Sequence, residues 1–191
     1  METTSFRSSP EGRDGERVDV TITYLEQNER PALPLPPRPP GKIALMRAEQ
    51  PPVHFYRYMY RLVGDPWHWV SRRRLSDDAL AEIIHDPDVY IYLLHVSGAP
   101  AGFAEIDARA DMACYLRFFG LAPDFTGRGL GRYFLANVID LAWALEPQRL
   151  RLETCSLDHP AALPLYQKLG FEVFDRAKGV VELMAQPPAP H

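Results

Sequence analysis

The sequence lacks the features that mark secreted, disulfide-stabilised or membrane-spanning proteins. Its two cysteines, Cys114 and Cys155, form no CxxC pair and no disulfide framework, so a reducing cytoplasm is the simplest location. No apolar run approaches the roughly 20 residues that a membrane-spanning helix needs. Residues 1–17 are polar and contain no apolar signal core, and we therefore expect a cytoplasmic protein.

The sequence also lacks an excess of positive charge and any metal-binding motif. It has 25 acidic and 21 basic residues, for a net charge of −4, which excludes the basic signature of proteins that coat nucleic acids or anionic membranes. The six histidines form no HExxH motif, so no metal site is expected. With 191 residues, 46% of them hydrophobic, the chain can form one domain with a substantial core.

Proline is the residue in excess, with 19 copies. The segment 31–40 (PALPLPPRPP) predicts a stiff, extended connector, and a PxxP ligand for a partner domain is the alternative. A second proline-rich stretch forms the tail 186–191. Residues 1–17 show no apolar periodicity and are expected to be disordered, which leaves one domain over residues 18–185.

Hydrophobic periodicity predicts a mixed α/β fold. The alternating segment VDVTITYL, residues 18–25, indicates a strand, and steps of three and four residues from Val53 indicate a helix. Ser76 is the expected N-cap of a second helix, and Ser97-Gly98 is a hairpin signal between two strands. A helix near residues 161–169 ends at Gly170, and the segments 171–174 and 180–184 are expected to be two closing strands.

The strongest functional signal is a glycine-rich turn between a strand and a helix. The segment reads FFGLAPDFTGRGLGR over residues 118–132. Glycines let backbone N–H groups converge on an anion, and the start of the helix adds its positive dipole end. Two arginines in the same segment supply charge for phosphate. The pattern therefore predicts a diphosphate site at the end of a strand; a plain turn with glycines for helix packing is the alternative.

Two common nucleotide motifs do not fit this segment. A dinucleotide fingerprint GxGxxG would need a third glycine at position 132 or 134, where Arg132 and Phe134 stand. A P-loop needs Gly-Lys followed by Ser or Thr, whereas Gly41-Lys42 is followed by Ile43.

The segment resembles the acetyl-CoA-binding motif of the GCN5-related N-acetyltransferases (GNAT), Q/R-x-x-G-x-G/A. Gly129 and Gly131 take the glycine positions, and Thr126 stands where the family has Gln or Arg. A second family motif, N-x-x-A-x-x-x-Y-x-x-x-G-F, is matched over residues 159–171, with His159 in place of Asn and with Tyr166 at the tyrosine position. The resemblance covers roughly residues 18–185. It implies a GNAT-like fold, with a mixed, mostly antiparallel sheet flanked by helices.

The resemblance also implies a function, acetyl-CoA-dependent transfer of an acetyl group directly to a primary amine of a small molecule or peptide. The strand before the glycine turn would splay from the next strand, and pantetheine would lie in the gap. The residues implied in binding acetyl-CoA are Phe119, Gly120 and Leu121 for pantetheine, and Gly127, Arg128, Gly129, Leu130, Gly131 and Arg132 for the pyrophosphate. Gly120, inside a strand, independently indicates a bulge or the close approach of a ligand.

The resemblance makes Tyr166 the general acid for the leaving thiolate, and a core tyrosine is the alternative. The general base is open. Glu105 lies on the strand AGFAEID, where it is either a buried base or a carboxylate that faces solvent. Asp158 and His159 follow the strand at 149–155, and a chain of waters is a further alternative. His159 has an intrinsic pKa suited to proton relay. Relatives commonly carry an acidic residue where this chain has Tyr115, so a non-catalytic acyl-CoA-binding module of the same fold is the rival hypothesis.

Two further groups of residues each allow two hypotheses about their role. The aromatic cluster over residues 55–69, which includes Trp67 and Trp69, would form a wall for the acceptor or simply pack in the core. The run Arg72-Arg73-Arg74 would be a solvated patch or an extra attraction for an anionic ligand. The amine substrate is the expected partner, with no nucleic acid and no membrane, and a homodimer is left open.

Overall fold

Seven strands and four α-helices make up the described part of the chain, residues 14–184 of a computed structural model. The strands are β1 (Arg17–Gln27), β2 (Ile43–Arg47), β3 (Val89–Val96), β4 (Ala99–Ala110), β5 (Ala113–Leu121), β6 (Arg149–Cys155) and β7 (Glu172–Glu182). The helices are α1 (Val53–Gly64), α2 (Asp77–Ile84), α3 (Leu130–Trp143) and α4 (Ala162–Lys168). No helix in this described range is long and apolar enough to cross a membrane.

All seven strands form one sheet in the order β2-β3-β4-β5-β6-β1-β7. Every neighbouring pair is antiparallel except β5 and β6, which are parallel. The fold is therefore mixed α/β with a mostly antiparallel sheet and helices on both faces, and the expected fold class is confirmed.

The core lies in two layers, one on each face of the sheet. Along β4, Phe103 packs in the cluster under α1 and α2, whereas Ala104 and Ile106 pack in the larger cluster under α3 and α4. This alternation follows from the two-residue period of a strand. The helices bury their apolar faces to match it, with Tyr60 of α1 on one side and Phe134 of α3 on the other.

Several local signals have the predicted geometry. The Ala79 N–H donates to the Ser76 hydroxyl at the start of α2, and Ser97 and Gly98 both have positive φ, as a tight hairpin turn requires. Gly170, at φ +95°, ends α4, with N–H bonds from Gly170 and Phe171 to carbonyls in its last turn. These bonds form a Schellman motif.

Two expectations about the strands were wrong. The chain closes with one continuous strand, β7, rather than with two strands at 171–174 and 180–184. Among the described strands, β7 pairs only with β1 and forms an edge of the sheet, so its exposed middle is polar and resembles a turn in the sequence. Strand β1 begins at Arg17, and the Gly15 N–H donates to the Leu183 carbonyl, so residues 14–17 are ordered. The rest of the segment expected to be disordered, 1–13, and the tail 186–191 lie outside the described residues.

The proline-rich segment 31–40 connects β1, near one edge of the sheet, to β2 at the opposite edge. Arg30 forms an ion pair with Asp140 of α3 at the start of this crossing. Pro31, Leu33 and further residues of the segment lie against the outer side of α3. The segment contains no helix or strand, and its stiffness stays a prediction.

Candidate active site

A cleft opens between β5 and β6 because these two parallel strands separate halfway along their length. Their pairing runs from Ala113 opposite Arg149 to Leu116 opposite Leu152 and ends there. Beyond that point, β5 stays paired with β4, and β6 stays paired with β1. A bulge at Arg117 shifts the register between β4 and β5 where the separation begins. The opening has a volume of about 450 Å³.

The strand residues 119–121 line this cleft, as expected. Phe119 packs against Phe134 with ring centroids 5.2 Å apart. The expected bulge at Gly120 is not there, because Gly120 pairs directly with Phe103. Helix α1 packs so closely here that only glycine fits, because a Cβ at position 120 would lie 2.5 Å from the Val63 Cγ1 atom.

The glycine-rich turn lies at one end of the cleft and leads into α3. Gly127 and Gly131 line the cleft, and Gly129 is the N-cap of α3 in the left-handed conformation, with φ +74°. Within the described range, no side chain caps the first turn of α3, so its amide groups are available to an anion. Of the other predicted phosphate-binding residues, Arg128 and Arg132 are exposed, and Leu130 is buried in the core.

Tyr166 of α4 lies in the wall of the cleft. Its side chain is buried, 7% exposed, and its ring meets Phe119 and Phe171 edge-on. Its hydroxyl makes no hydrogen bond within residues 14–184. Burial, with a smaller contribution from the negative charge of Asp158, raises the pKa of Tyr166 well above the value of a free tyrosine. The hydroxyl therefore stays protonated at neutral pH.

Asp158 and His159 also line the cleft, just after β6. One carboxylate oxygen of Asp158 accepts hydrogen bonds from the Thr154 hydroxyl, at 2.6 Å, and from the Cys155 N–H, at 2.8 Å. The Nδ1 atom of His159 accepts from the Ala161 N–H at 3.0 Å, so the neutral ring carries its proton on Nε2. Burial lowers the pKa of His159. The neutral ring is thus a weaker base than a free histidine, and its Nε2–H is a hydrogen-bond donor.

Glu105 is not brought to the cleft. It lies fully buried on β4, under α1, where Arg72 forms an ion pair with one oxygen and Tyr56 donates a hydrogen bond to the other. Both oxygens are engaged, and the residues that line the cleft do not include it. This geometry argues against the base role that the sequence suggested for Glu105. It also corrects the reading of Arg72 as part of a solvated patch, since its side chain is only 14% exposed.

The cleft wall also contains aromatic residues whose role the sequence left open and charged residues that were missed. Trp67 and Trp69, from the irregular segment after α1, both line it, and Trp67 stacks edge-on with His159 at 4.9 Å. Arg117 and the exposed Glu153 line it too and were missed. Glu153 could have been found from the alternation RLRLETC, in which the charged positions share one face of the strand.

Comparisons with known proteins agree with this geometry. A family model described as the acetyltransferase (GNAT) family matches residues 56–171. A GCN5-related N-acetyltransferase from Kribbella flavida has a similar structure, with a TM-score of 0.58 at 19% identity, over 92% of this chain and 61% of that one. A functionally unknown conserved protein from Staphylococcus epidermidis gives a TM-score of 0.56 at 14% identity, over 88% of this chain and 64% of the other.

An aminoglycoside N-acetyltransferase solved in complex with CoA gives a TM-score of 0.56 at 20% identity, over 81% of this chain and 100% of that protein. The chain spans less than two thirds of the length of the Kribbella and Staphylococcus proteins. No curated protein sequence matches it. At these identities the structural likeness concerns the fold, whereas the family model covers more than half of the chain. The chain belongs to the GNAT family of acetyltransferases.

Proposed function

We propose that the protein is an acetyl-CoA-dependent N-acetyltransferase that transfers an acetyl group directly to the primary amine of a small molecule or peptide. The observation that carries this proposal is the cleft between β5 and β6, which joins an uncapped helix start at the glycine turn to a buried tyrosine in its wall. One continuous opening thus offers separate surfaces for an anion, a thioester arm and an amine.

The residues along the cleft suit CoA. Beyond Leu116, the side of β5 that faces β6 has no strand partner among the described residues, so the backbone of Phe119, Gly120 and Leu121 can bond to the amides of pantetheine. The pyrophosphate would bind the backbone N–H groups of residues 127–132. At Gly127 and Gly129 nothing lies within 4 Å of where a Cβ would be, which leaves room for it.

The chemistry needs an amine nucleophile and a stabilised leaving group. The neutral amine attacks the thioester carbonyl and the C–N bond forms. The nitrogen then releases its extra proton to water, the C–S bond breaks, and CoA leaves as a thiolate. A thiol has a pKa of about 8.5, below that of Tyr166, so complete proton transfer from the phenol would be uphill. We propose that Tyr166 donates a hydrogen bond to the departing sulfur, which then takes its proton from water.

The amine reaches the cleft mainly as an ammonium ion and must lose a proton. The free oxygen of Asp158 and the exposed carboxylate of Glu153 give this part of the cleft a negative potential that attracts the ammonium. We propose that Asp158 accepts the proton, directly or through water, and that His159 shapes the site together with Trp67. The solved aminoglycoside N-acetyltransferase supports a small-molecule amine as the first class to test.

Domain extent, location and assembly complete the proposal. The catalytic domain would cover residues 18–185. A cytoplasmic location suits the two free cysteines. The homodimer that the sequence left open is tested by sedimentation.

A panel assay tests the function. The purified protein is incubated with acetyl-CoA and, separately, aminoglycosides, polyamines, amino acids and lysine-containing peptides, and free CoA thiol is measured with time. We expect amine-dependent release of CoA with at least one class and an acetylated amine by mass spectrometry. CoA binding without transfer to any amine would favour the non-catalytic module instead.

A further inference from the structure

A short irregular segment, residues 65–75, carries both indoles of the cleft wall. We call it the tryptophan loop. It contains two 3₁₀ turns, Asp65–Trp67 and Arg72–Arg74, and it belongs to no strand of the sheet. Trp69 packs with the α1 cluster on the face of the sheet opposite α3 and α4, and both indoles line the cleft together with Gly127 of the glycine turn. Without regular pairing, other contacts must fix this loop.

The strongest of these contacts is a buried charge pair. Arg72, from the loop, reaches across to Glu105 in the middle of β4, and Tyr56 of α1 donates to the second carboxylate oxygen. The Glu105 side chain is 0% exposed. A carboxylate taken out of water is costly unless a paired cation and hydrogen bonds replace its hydration. Glu105 therefore holds Arg72, because the ion pair compensates the charges of both side chains where little water reaches them.

Further hydrogen bonds reinforce the same end of the loop. Ser71 contacts the Tyr60 hydroxyl at 3.2 Å, and the Arg72 N–H donates to that hydroxyl at 3.4 Å. Arg57 donates to the carbonyls of Arg72, at 3.3 Å, and Leu75, at 2.7 Å. Each of these bonds has one partner on α1, whereas the Arg72–Glu105 pair joins the loop to β4. The loop is therefore fixed to one helix and to one strand.

Close packing makes the position of the indoles depend on the position of Arg72. Trp69 lies directly on Gly64, where a Cβ would be 2.5 Å from the ring, and it meets Phe118 of β5 with centroids 5.1 Å apart. Phe118 pairs with Glu105 in the sheet. A shift of Arg72 would therefore move Trp69 off a surface that fits it closely.

We propose that Glu105 is a positioning residue, which with Arg72 and Tyr56 forms a buried clamp that fixes the tryptophan loop and so sets the acceptor wall of the cleft. The acceptor role of the wall rests on the proposed function, whereas the clamp itself does not. The clamp predicts that loss of Glu105 weakens acceptor binding. A base role predicts that it slows the chemical step.

Tryptophan fluorescence gives a readout that needs no substrate. Trp143 is the third tryptophan, buried on α3 and bonded to Gln27, so a Trp143→Phe background reports only the two loop indoles. In this background, Glu105→Gln should raise the acrylamide quenching constant by about twofold and shift the emission to the red, since the released loop exposes its indoles. Glu26→Gln, which weakens a partly buried carboxylate pair with Arg151, is the matched control and should change neither signal.

Kinetics separate the two roles. For Glu105→Gln in the wild-type background we expect the acceptor KM to rise about tenfold. The kcat and the CoA affinity should stay within about threefold, and the pH–rate profile should keep its shape. A kcat loss with an altered pH profile and unchanged indole fluorescence would overturn the clamp and restore the base role. If the wild type acetylates no amine, the proposed function fails while the fluorescence test still decides the clamp.

A double variant covers the case in which Glu105→Gln leaves Arg72 as a buried unpaired cation and unfolds the domain. Arg72→Met with Glu105→Gln removes both charges and should restore the melting temperature. The indoles should nevertheless remain more accessible than in the Trp143→Phe parent, because the tether is gone. Parental quenching in the double variant would refute the proposal.

Discussion

Replacing Tyr166 with phenylalanine removes one oxygen from the wall of the cleft and leaves the ring in place. The ring keeps its edge-on contacts with Phe119 and Phe171. The hydroxyl forms no hydrogen bond within residues 14–184, so the folded protein loses no internal bond. We expect the free energy of unfolding to change by no more than about 0.5 kcal/mol, and the melting temperature by about 2 °C at most.

The effect on catalysis should be much larger. A hydrogen bond to a charged group contributes about 1.5–3 kcal/mol, which corresponds to a loss of about 10–150-fold in the rate of acetyl transfer. CoA affinity should stay within about threefold, since the hydroxyl bonds the sulfur mainly as charge develops there. Steady-state release of CoA with the best amine gives the rate, and differential scanning calorimetry gives the stability.

The raised pKa of Tyr166 adds a pH signature. The donor is lost only as the pH rises through the folded pKa, so ionisation of Tyr166 should cause no loss of rate in the wild type up to about pH 10. Wild-type turnover by Tyr166→Phe would refute the assigned role. A fall of several degrees in melting temperature would show that the hydroxyl has a structural partner, contrary to the geometry.

Three further predictions concern the glycine turn and the strand beside it. Gly129→Glu should abolish CoA binding in calorimetry, because the new carboxylate repels the pyrophosphate. Gly129→Asn is the control and should retain most of the binding, since asparagine tolerates a positive φ. Equal affinities of the two variants for CoA would contradict the pyrophosphate assignment. Arg128→Ala and Arg132→Ala should each weaken CoA binding by about 1–2 kcal/mol, and the loss should shrink at high salt. Gly120→Ala should destabilise the fold by about 1–3 kcal/mol, and adding Val63→Ala to the same chain should recover part of that loss. If the stability loss of the double variant equals the sum of the two single losses, the close approach of residue 120 to Val63 is not the cause.

Much of the fold could be predicted because its signals are local. The Ser76 cap, the Ser97-Gly98 turn and the left-handed Gly170 each depend on a few consecutive residues, and the structure has them as expected. The glycine turn before α3 is of the same kind. Strand β7 was misjudged because the sequence does not say which strand lies at the sheet edge, where polar residues are tolerated.

The site was harder to predict because its contacts are long-range. The sequence left open whether Glu105 is buried or faces solvent, and its partner Arg72 lies 33 residues away, so the pairing is visible only in the fold. The same holds for the indoles, whose aromatic character was evident while their presence in the cleft was not. Gly120 was noticed as unusual, but the close approach comes from Val63 of α1.

Hydrogen–deuterium exchange with and without acetyl-CoA tests most directly the claim that the gap between β5 and β6 is the acyl-CoA site. The account predicts that acetyl-CoA slows exchange of the backbone amides in two segments, residues 118–121 of β5 and residues 127–132 of the glycine turn. The amides of β2 and β3, at the far edge of the sheet, should exchange at unchanged rates. Protection confined to any other part of the chain, or no protection at saturating acetyl-CoA, would contradict it.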